Sequence, residues 1–232
     1  MKRLLALCIT TGVIVSLMAC SSTETVTAPT NAKKLLYVKK NEGTNDPVIM
    51  SHLKKLGYQV MDTTDSVFKV EAAKGYGVVF ISDTVNSSKL DAQLKTSTVP
   101  VVYAKTQSVS VAGMTGILDY GQLNDVKTIQ MKDSKHPLAA GLKDQVTVYN
   151  NTGNMGYAIP GKEAVIIATA QSDDKKAVIF GYEKGTKNMN NELIPARQVF
   201  FYLPSGQEMN QTDDGWKLFD ASIQWAAQNG KK

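Results

Sequence analysis

Apolar residues fall into short runs along this chain, and helix-spaced segments separate them. Leu35-Leu36-Tyr37-Val38 is bounded by lysines, the pattern of a strand buried on both faces. Asn45-Asp46-Pro47 follows, a capping residue and then proline near a helix start. Val48, Ile49, Leu53 and Leu56 recur at helical spacing, and Gly57 sits where a helix-terminating glycine belongs. Tyr58-Gln59-Val60-Met61 predicts the next strand. Tyr76 to Ser82 predicts another, with Asn86-Ser87-Ser88 capping a helix to about Lys95. Val99 to Ala104 predicts a further strand, with Pro100 at its start, where a missing N–H does least harm.

The second half reads as strand-rich: Thr128–Met131, Gln145–Tyr149, Ala164–Ala170, Ala177–Tyr182 and Gln198–Leu203. Asp173-Asp174 suggests a hairpin, and Asn150 to Gly156, rich in Asn and Gly, reads as a long loop. A closing helix runs from about Thr212 to Gln228, with Trp216, Phe219, Ile223 and Ala226 on one face. Strands alternating with helices predict an α/β domain on a mostly parallel sheet, with antiparallel strands added in the second half. One domain over 34–232 accounts for the pattern.

The first residues obey a different rule. Lys2 and Arg3 precede an apolar stretch from Leu4 to Ala19, short for a membrane span and typical of a secretory signal. Leu17-Met18-Ala19-Cys20 resembles the lipobox of bacterial lipoproteins, with Met18 a mild departure from the usual small residue. That resemblance implies cleavage after residue 19 and lipidation of Cys20. Ser21 is not the aspartate associated with inner-membrane retention, so in a Gram-negative cell the implied address is the outer membrane. Residues 20–33 are small and polar, a tether with a reach of roughly 20 Å at 5–6 Å × √n.

Composition narrows the chemistry. The 232 residues are 43% hydrophobic and 20% charged, too apolar for a disordered chain. Both cysteines, Cys8 and Cys20, lie in the first twenty residues. The body therefore has no disulfide, no cysteine-based zinc site and no catalytic cysteine. Losing 19 residues, Lys2 and Arg3 among them, takes the chain from 232 residues and +5 to 213 residues and +3. No clustered basic footprint for nucleic acid is present.

Five segments in order carry a family resemblance: Tyr76–Ser82 (YGVVFIS), Val99–Val102 (VPVV), Ser134–Leu142 (SKHPLAAGL), Pro195–Val199 (PARQV) and Asp214–Ala226 (DGWKLFDASIQWA). Together they resemble the class I glutamine-amidotransferase-like superfamily, and within it the trehalose-utilisation-like proteins, over residues 34–228. The resemblance implies a flavodoxin-like three-layer sandwich. It does not imply amidotransferase activity, which needs a thiolate on a sharp strand-to-helix turn. Lys105-Thr106-Gln107-Ser108 follows the VPVVYA strand instead, and Ala104-Lys105 departs from the Trp-Glu of secreted relatives.

Candidate site residues come from topology. Open α/β sheets bind ligands beyond the carboxyl ends of their strands, where strand order reverses. Loops 40–46, 82–87 and 105–108 belong there, and Asn41, Glu42, Asn45, Asp83, Thr84, Asn86 and Lys105 suit a hydroxyl-rich ligand. Tyr157 is the aromatic placed for an exposed contact, whereas Trp216 and Trp225 lie on apolar helix stripes. His136 is the candidate base, set against a purely structural role in a Ser-x-His-Pro turn. His52 reads as an edge-of-core histidine, and Arg197 as an ion-pair partner. Ser82 and Ser108 lack the G-x-S-x-G elbow of a serine hydrolase. No G-x-G-x-x-G supports a dinucleotide, no ligand spacing supports a metal, and no cofactor is expected.

The expected role is a membrane-anchored envelope domain that binds a carbohydrate, an envelope component or a protein partner. The alternatives are a sugar-processing or other hydrolase using His136 with nearby carboxylates, and a structural or assembly lipoprotein. The anchor is tested by Cys20→Ser, which should move the protein from the membrane to the soluble fraction; unchanged membrane retention would exclude lipidation at that residue.

Overall fold

The computed structural model describes residues 33–41 and 46–230. Cys20, the tether and the candidate residues Glu42 and Asn45 lie outside the described residues.

Five strands form the parallel centre. They are β1 (Lys34–Lys39), β2 (Gln59–Thr64), β3 (Val78–Ile81), β4 (Val101–Tyr103) and, from far along the chain, β11 (Gln198–Phe201). They lie in the order β2-β1-β3-β4-β11, so strand order reverses between β1 and β3. Beyond β11 the sheet turns antiparallel. β10 (Asp173–Tyr182), β9 (Val165–Ala170), β6 (Thr128–Met131) and β7 (Gln145–Thr147) extend it in that order. β5 (Thr115–Val126) and β8 (Gly153–Pro160) pair as a separate antiparallel ribbon, joined to β10 at Ala158–Ala177.

The alternation of side chains along β1 generates the layers. Leu35 and Tyr37 face one side, where α1 (Asp46–Lys55) and α3 (Asp213–Gln228) contribute Leu53, Leu218, Phe219 and Ile223. Leu36 and Val38 face the other, against Leu94 and Val109, the latter from the short helix α2 (Thr106–Val111). The result is the three-layer α/β sandwich of flavodoxin type, a parallel core with antiparallel strands added in the second half.

Local chemistry explains the helix ends. Gly57 has φ +86°, and the amides of Gly57 and Tyr58 return to the carbonyls of Lys54 and Leu53, closing α1. Thr212 accepts the Gly215 amide at 3.1 Å and starts α3, with Asp213 and Asp214 at its positive end.

Three sequence expectations change. The helix over 86–95 is two 3₁₀ turns, Ser87–Lys89 and Ala92–Thr96. Asp91 breaks it: its carboxylate caps Gln93 at 3.0 Å and takes the Val70 amide at 3.1 Å, so the chain restarts there. The Asn150–Gly156 loop instead enters β8 at Gly153, and its partner β5 carried no apolar run that would predict a strand. The hairpin at Asp173-Asp174 is present, with the turn at Gln171-Ser172 and both aspartates already in β10.

Asp46 fixes the start of α1 to the sheet. Its side chain is 1% exposed and takes hydrogen bonds from Tyr37 Oη (2.8 Å), Ser82 Oγ (2.5 Å) and Thr84 Oγ1 (3.0 Å). Tyr37 is on β1, and Ser82 and Thr84 follow β3, so one carboxylate joins three elements. Asp46→Ala strands the two buried hydroxyls of Tyr37 and Ser82, at about 1–3 kcal/mol each. Urea unfolding should show a loss of about 2–6 kcal/mol, and a smaller loss for Asp46→Asn, which keeps an acceptor.

Candidate functional site

Asp46 joins β1 to the turn after β3. Ser82 follows β3 and is held by Asp46. Next along the chain, Asp83 takes the Ser205 amide on Oδ2 at 2.9 Å, which ties β3 to the segment after β11. Lys105, just after β4, donates to the Asp83 carbonyl at 2.9 Å and lies 3.6 Å from its carboxylate. Thr84 Oγ1 accepts the Lys40 amide at 3.3 Å, which ties β3 to the end of β1. Asp83, Thr84 and Lys105 are thus brought together by mutual contacts.

Asn86 joins them from the next turn. Its amide donates to the buried Asp65 carboxylate at 2.7 Å, and its side chain caps Ser88. Around these residues lies a basin of about 390 Å³, lined by Lys40, Thr84, Asn86, Ser87, Lys89 and Lys105 among others. It sits at the reversal of strand order between β1 and β3, the position where such sheets bind ligands. Three lysines line it against one aspartate, Asp65, whose carboxylate is already turned to the Asn86 amide. Asn41 is exposed just beyond Lys40 at the end of β1. Lys40, Asp65 and Lys89 carried no sequence signal, because isolated lysines and a single aspartate look the same on any solvated loop.

Tyr157 stands apart. It is half-buried on β8, beside Gly121 of β5, with Lys176 Nζ 5.0 Å from its ring centre. It lines no part of the basin.

The end of β4 is closed by the chain itself. Gly156 of β8 crosses there and donates its amide to the Tyr202 carbonyl at 2.9 Å. A Cβ at Gly156 would lie 2.5 Å from Thr106 Oγ1 and 3.2 Å from Phe200 Cζ. Only glycine lets β8 pack so near the turn after β4. That turn is relaxed: Lys105 has φ −72° and ψ 111°, ordinary extended backbone.

His136 is at the other end of the sheet. Its Nδ1 accepts the Leu138 amide at 3.2 Å and caps the turn Pro137–Ala139. Its ring lies 5.3 Å from Trp225, which also carries the Arg197 guanidinium at 4.1 Å. Arg197 immediately precedes β11 and pairs with Glu183 through Nε (2.8 Å) and Nη2 (2.9 Å). This group therefore sits at the amino end of β11, away from Asp83 and Lys105. Burial lowers the His136 pKa, which favours the neutral acceptor that the cap requires. Ser108 Oγ donates to the Lys105 carbonyl at 2.6 Å, an intrahelical contact.

Glu208 is the acidic residue the sequence did not single out. It is 3% exposed, and burial raises its pKa, with the charges of Asp46 and Asp83 adding to the rise. Burial also pushes Tyr37 well up, with the Asp46 charge second. Among the described residues no three His, Cys, Asp or Glu side chains group as metal ligands.

The fold is a doubly wound, flavodoxin-type α/β domain carrying an antiparallel extension. Solved structures share it. A protein of the GMP synthase type from Thermoplasma acidophilum matches at TM-score 0.58 and 13% identity, covering 84% of this chain and 95% of its own. A ThuA-like protein of Bacteroides uniformis matches at TM-score 0.54 and 11% identity, covering 88% and 95%. PurLQS of Thermotoga maritima matches at TM-score 0.51 and 9% identity, covering 83% and 98%. Identities this low show a common fold. No family model matches the sequence, and no curated protein matches it either.

Gly156→Ala tests the closure over β4. The added methyl must displace Thr106 or Phe200, and overpacking of this kind costs about 1–3 kcal/mol. Urea unfolding should register that loss; an unchanged midpoint would mean that β8 shifts freely and closes nothing.

Proposed function

We propose that this chain is a lipid-anchored envelope protein whose domain binds an acidic, hydroxyl-rich glycan at the basin between β1 and β3. One observation carries the reading: Lys40, Lys89 and Lys105 surround a concavity whose other polar groups include Thr84, Ser87, Asn86 and Gln107, with Asp65 its one carboxylate. Lysines supply charge for carboxylates or sulfates, and the hydroxyl and amide groups supply donors and acceptors for sugar hydroxyls. The basin's volume of about 390 Å³ suits one or two sugar rings.

The role proposed is binding rather than turnover. Lys105 occupies the position after β4 where the amidotransferase-like resemblance would put a nucleophile, and it is committed to Asp83. β8 lies across that turn. The anchor rests on the lipobox-like Leu17–Cys20 segment, and the polar tether would hold the basin close to the membrane surface. No helix among the described residues is long and apolar enough to cross a membrane.

The test is a glycan array probed with the full chain in detergent. Acidic glycans should be retained and neutral ones not. Lys40→Ala with Lys89→Ala removes two exposed charges worth up to about 1 kcal/mol each, so affinity should fall by up to about 30-fold. Lys105 is left in place because it supports Asp83. Retention independent of glycan charge, or no retention at all, would overturn the assignment.

A further inference from the structure

Residues 116–119 of β5 form a pinned apolar projection. Thr115 pairs with Pro160 and Tyr120 with Ala158, so these four residues leave the ladder opposite Ile159 alone. Thr115 Oγ1 holds the base of the loop, donating to the Ile159 carbonyl at 2.6 Å and lying 3.0 Å from that of Asp119. The tip carries Ile117 and Leu118, which are 80% and 88% exposed. Scattered exposed apolar side chains are ordinary, but two together on a fixed loop are not. More lie on the segments bound to it. Ile159 is exposed on β8, and Met189 and Leu193 are exposed on the loop after β10. The Met189 amide ties that loop to the Gly113 carbonyl, just before β5, at 2.9 Å. Five of the eight large apolar side chains exposed among the described residues are therefore here, which marks an interaction surface.

This surface lies on the edge of the sheet where the tether enters. β1 starts at Lys34, whose carbonyl takes the Gly77 amide at 2.8 Å just before β3. Pro100, just before β4, takes the Val79 amide at 2.9 Å, and Arg197, just before β11, takes the Val101 amide at 3.0 Å. Tyr182 stands opposite Gln198, the first residue of β11, and its hydroxyl donates to the Met114 carbonyl at 2.9 Å. Met114 directly precedes β5. The tether and the Ile117–Leu118 loop thus share the amino edge. Four strand spacings separate β1 from β10, about 19 Å in all, and the tether itself reaches roughly 20 Å. The lysine basin opens at the opposite, carboxyl edge.

The charge along the amino edge is positive. Lys162, Lys184 and Lys187 are exposed on the segments flanking the loop, and Lys33 and Lys74 are exposed farther along. None of the five pairs with a carboxylate among the described residues. Glu183 and Glu192 are already paired, with Arg197 and Lys95. That leaves Glu71, Asp119 and Glu163 against five lysines. An apolar tip ringed by lysines suits the headgroup region of an anionic bilayer, where the tip reaches the acyl chains and the ammonium groups stay at the phosphates.

We infer that the amino edge docks on the lipid bilayer, with Ile117 and Leu118 inserted and the lysine basin facing away from the membrane. This rests on the lipid anchor proposed above, which keeps the edge beside the bilayer so that a weak contact suffices.

The test uses the full chain on vesicles of phosphatidylethanolamine and phosphatidylglycerol, with and without phospholipid brominated on its acyl chains. Leu118→Trp and Lys89→Trp place an indole at the loop and at the basin, and the unaltered chain gives the background of Trp216 and Trp225. The indole at 118 should shift to the blue on the vesicles and lose emission to the brominated lipid; the one at 89 should do neither. Adding Ile117→Asp to Leu118→Trp should abolish both effects while circular dichroism stays unchanged. Quenching at 118 no greater than at 89 would overturn the docking. So would a blue shift at 118 without quenching, which means a protein surface covers the loop, or a chain that does not float with the vesicles. The intact mass reports lipid on Cys20 separately. A lipidated chain unquenched at 118 keeps the anchor and loses the docking; an unlipidated chain quenched at 118 does the reverse.

Discussion

A carboxylate removed from water needs hydrogen bonds, and Asp46 is removed almost completely. Tyr37, Ser82 and Thr84 each give it a hydroxyl, and these three residues come from the first strand and the turn after the third. The bonds set where α1 begins relative to the carboxyl edge of the sheet. They also fix the turn after β3, from which Asp83, Thr84 and Asn86 project. Asp83 then reaches Ser205 beyond β11 and receives Lys105 from beyond β4. The whole carboxyl edge is thus organised outward from one buried charge. Glu208 is buried beside that edge, and burial raises its pKa, with the charges of Asp46 and Asp83 adding to the rise.

The ribbon of β5 and β8 gives this domain its particular character. A doubly wound sheet offers an open groove at the ends of its central strands. Here Gly156 crosses beside the turn after β4, where any side chain would meet Thr106 and Phe200. The lysine-lined basin lies at the β1–β3 reversal.

Legibility in the sequence followed burial. β1, β3 and β4 were plain because strands covered on both faces must be apolar throughout. The closing helix was plain because Leu218, Phe219, Ile223 and Ala226 pack into one core. β5 was invisible because only Thr115 of its residues is fully buried, and exposed pairing leaves no hydrophobic period to read. The 86–95 helix was misread because Asp91 uses its side chain to cap a new turn. Of the candidate site residues, Asp83, Thr84, Asn86 and Lys105 converge, since topology alone places those loops together. Tyr157 does not join them, because a loop was assumed where a strand forms. Glu208 was missed because its burial comes from packing, which a sequence does not display.

By itself the sequence determined the α/β class, the alternation of elements, the absence of any thiol beyond Cys20 and the lipobox-like pattern of the first twenty residues. Each of these depends on residue identity or on periodicity along one segment. Only the tertiary structure decided which loops share a basin, that β8 closes the end of β4, that His136 belongs to the opposite edge, and that Glu208 is buried. Those facts depend on distances between residues far apart in the chain, and such distances are set by packing, which local pattern does not encode.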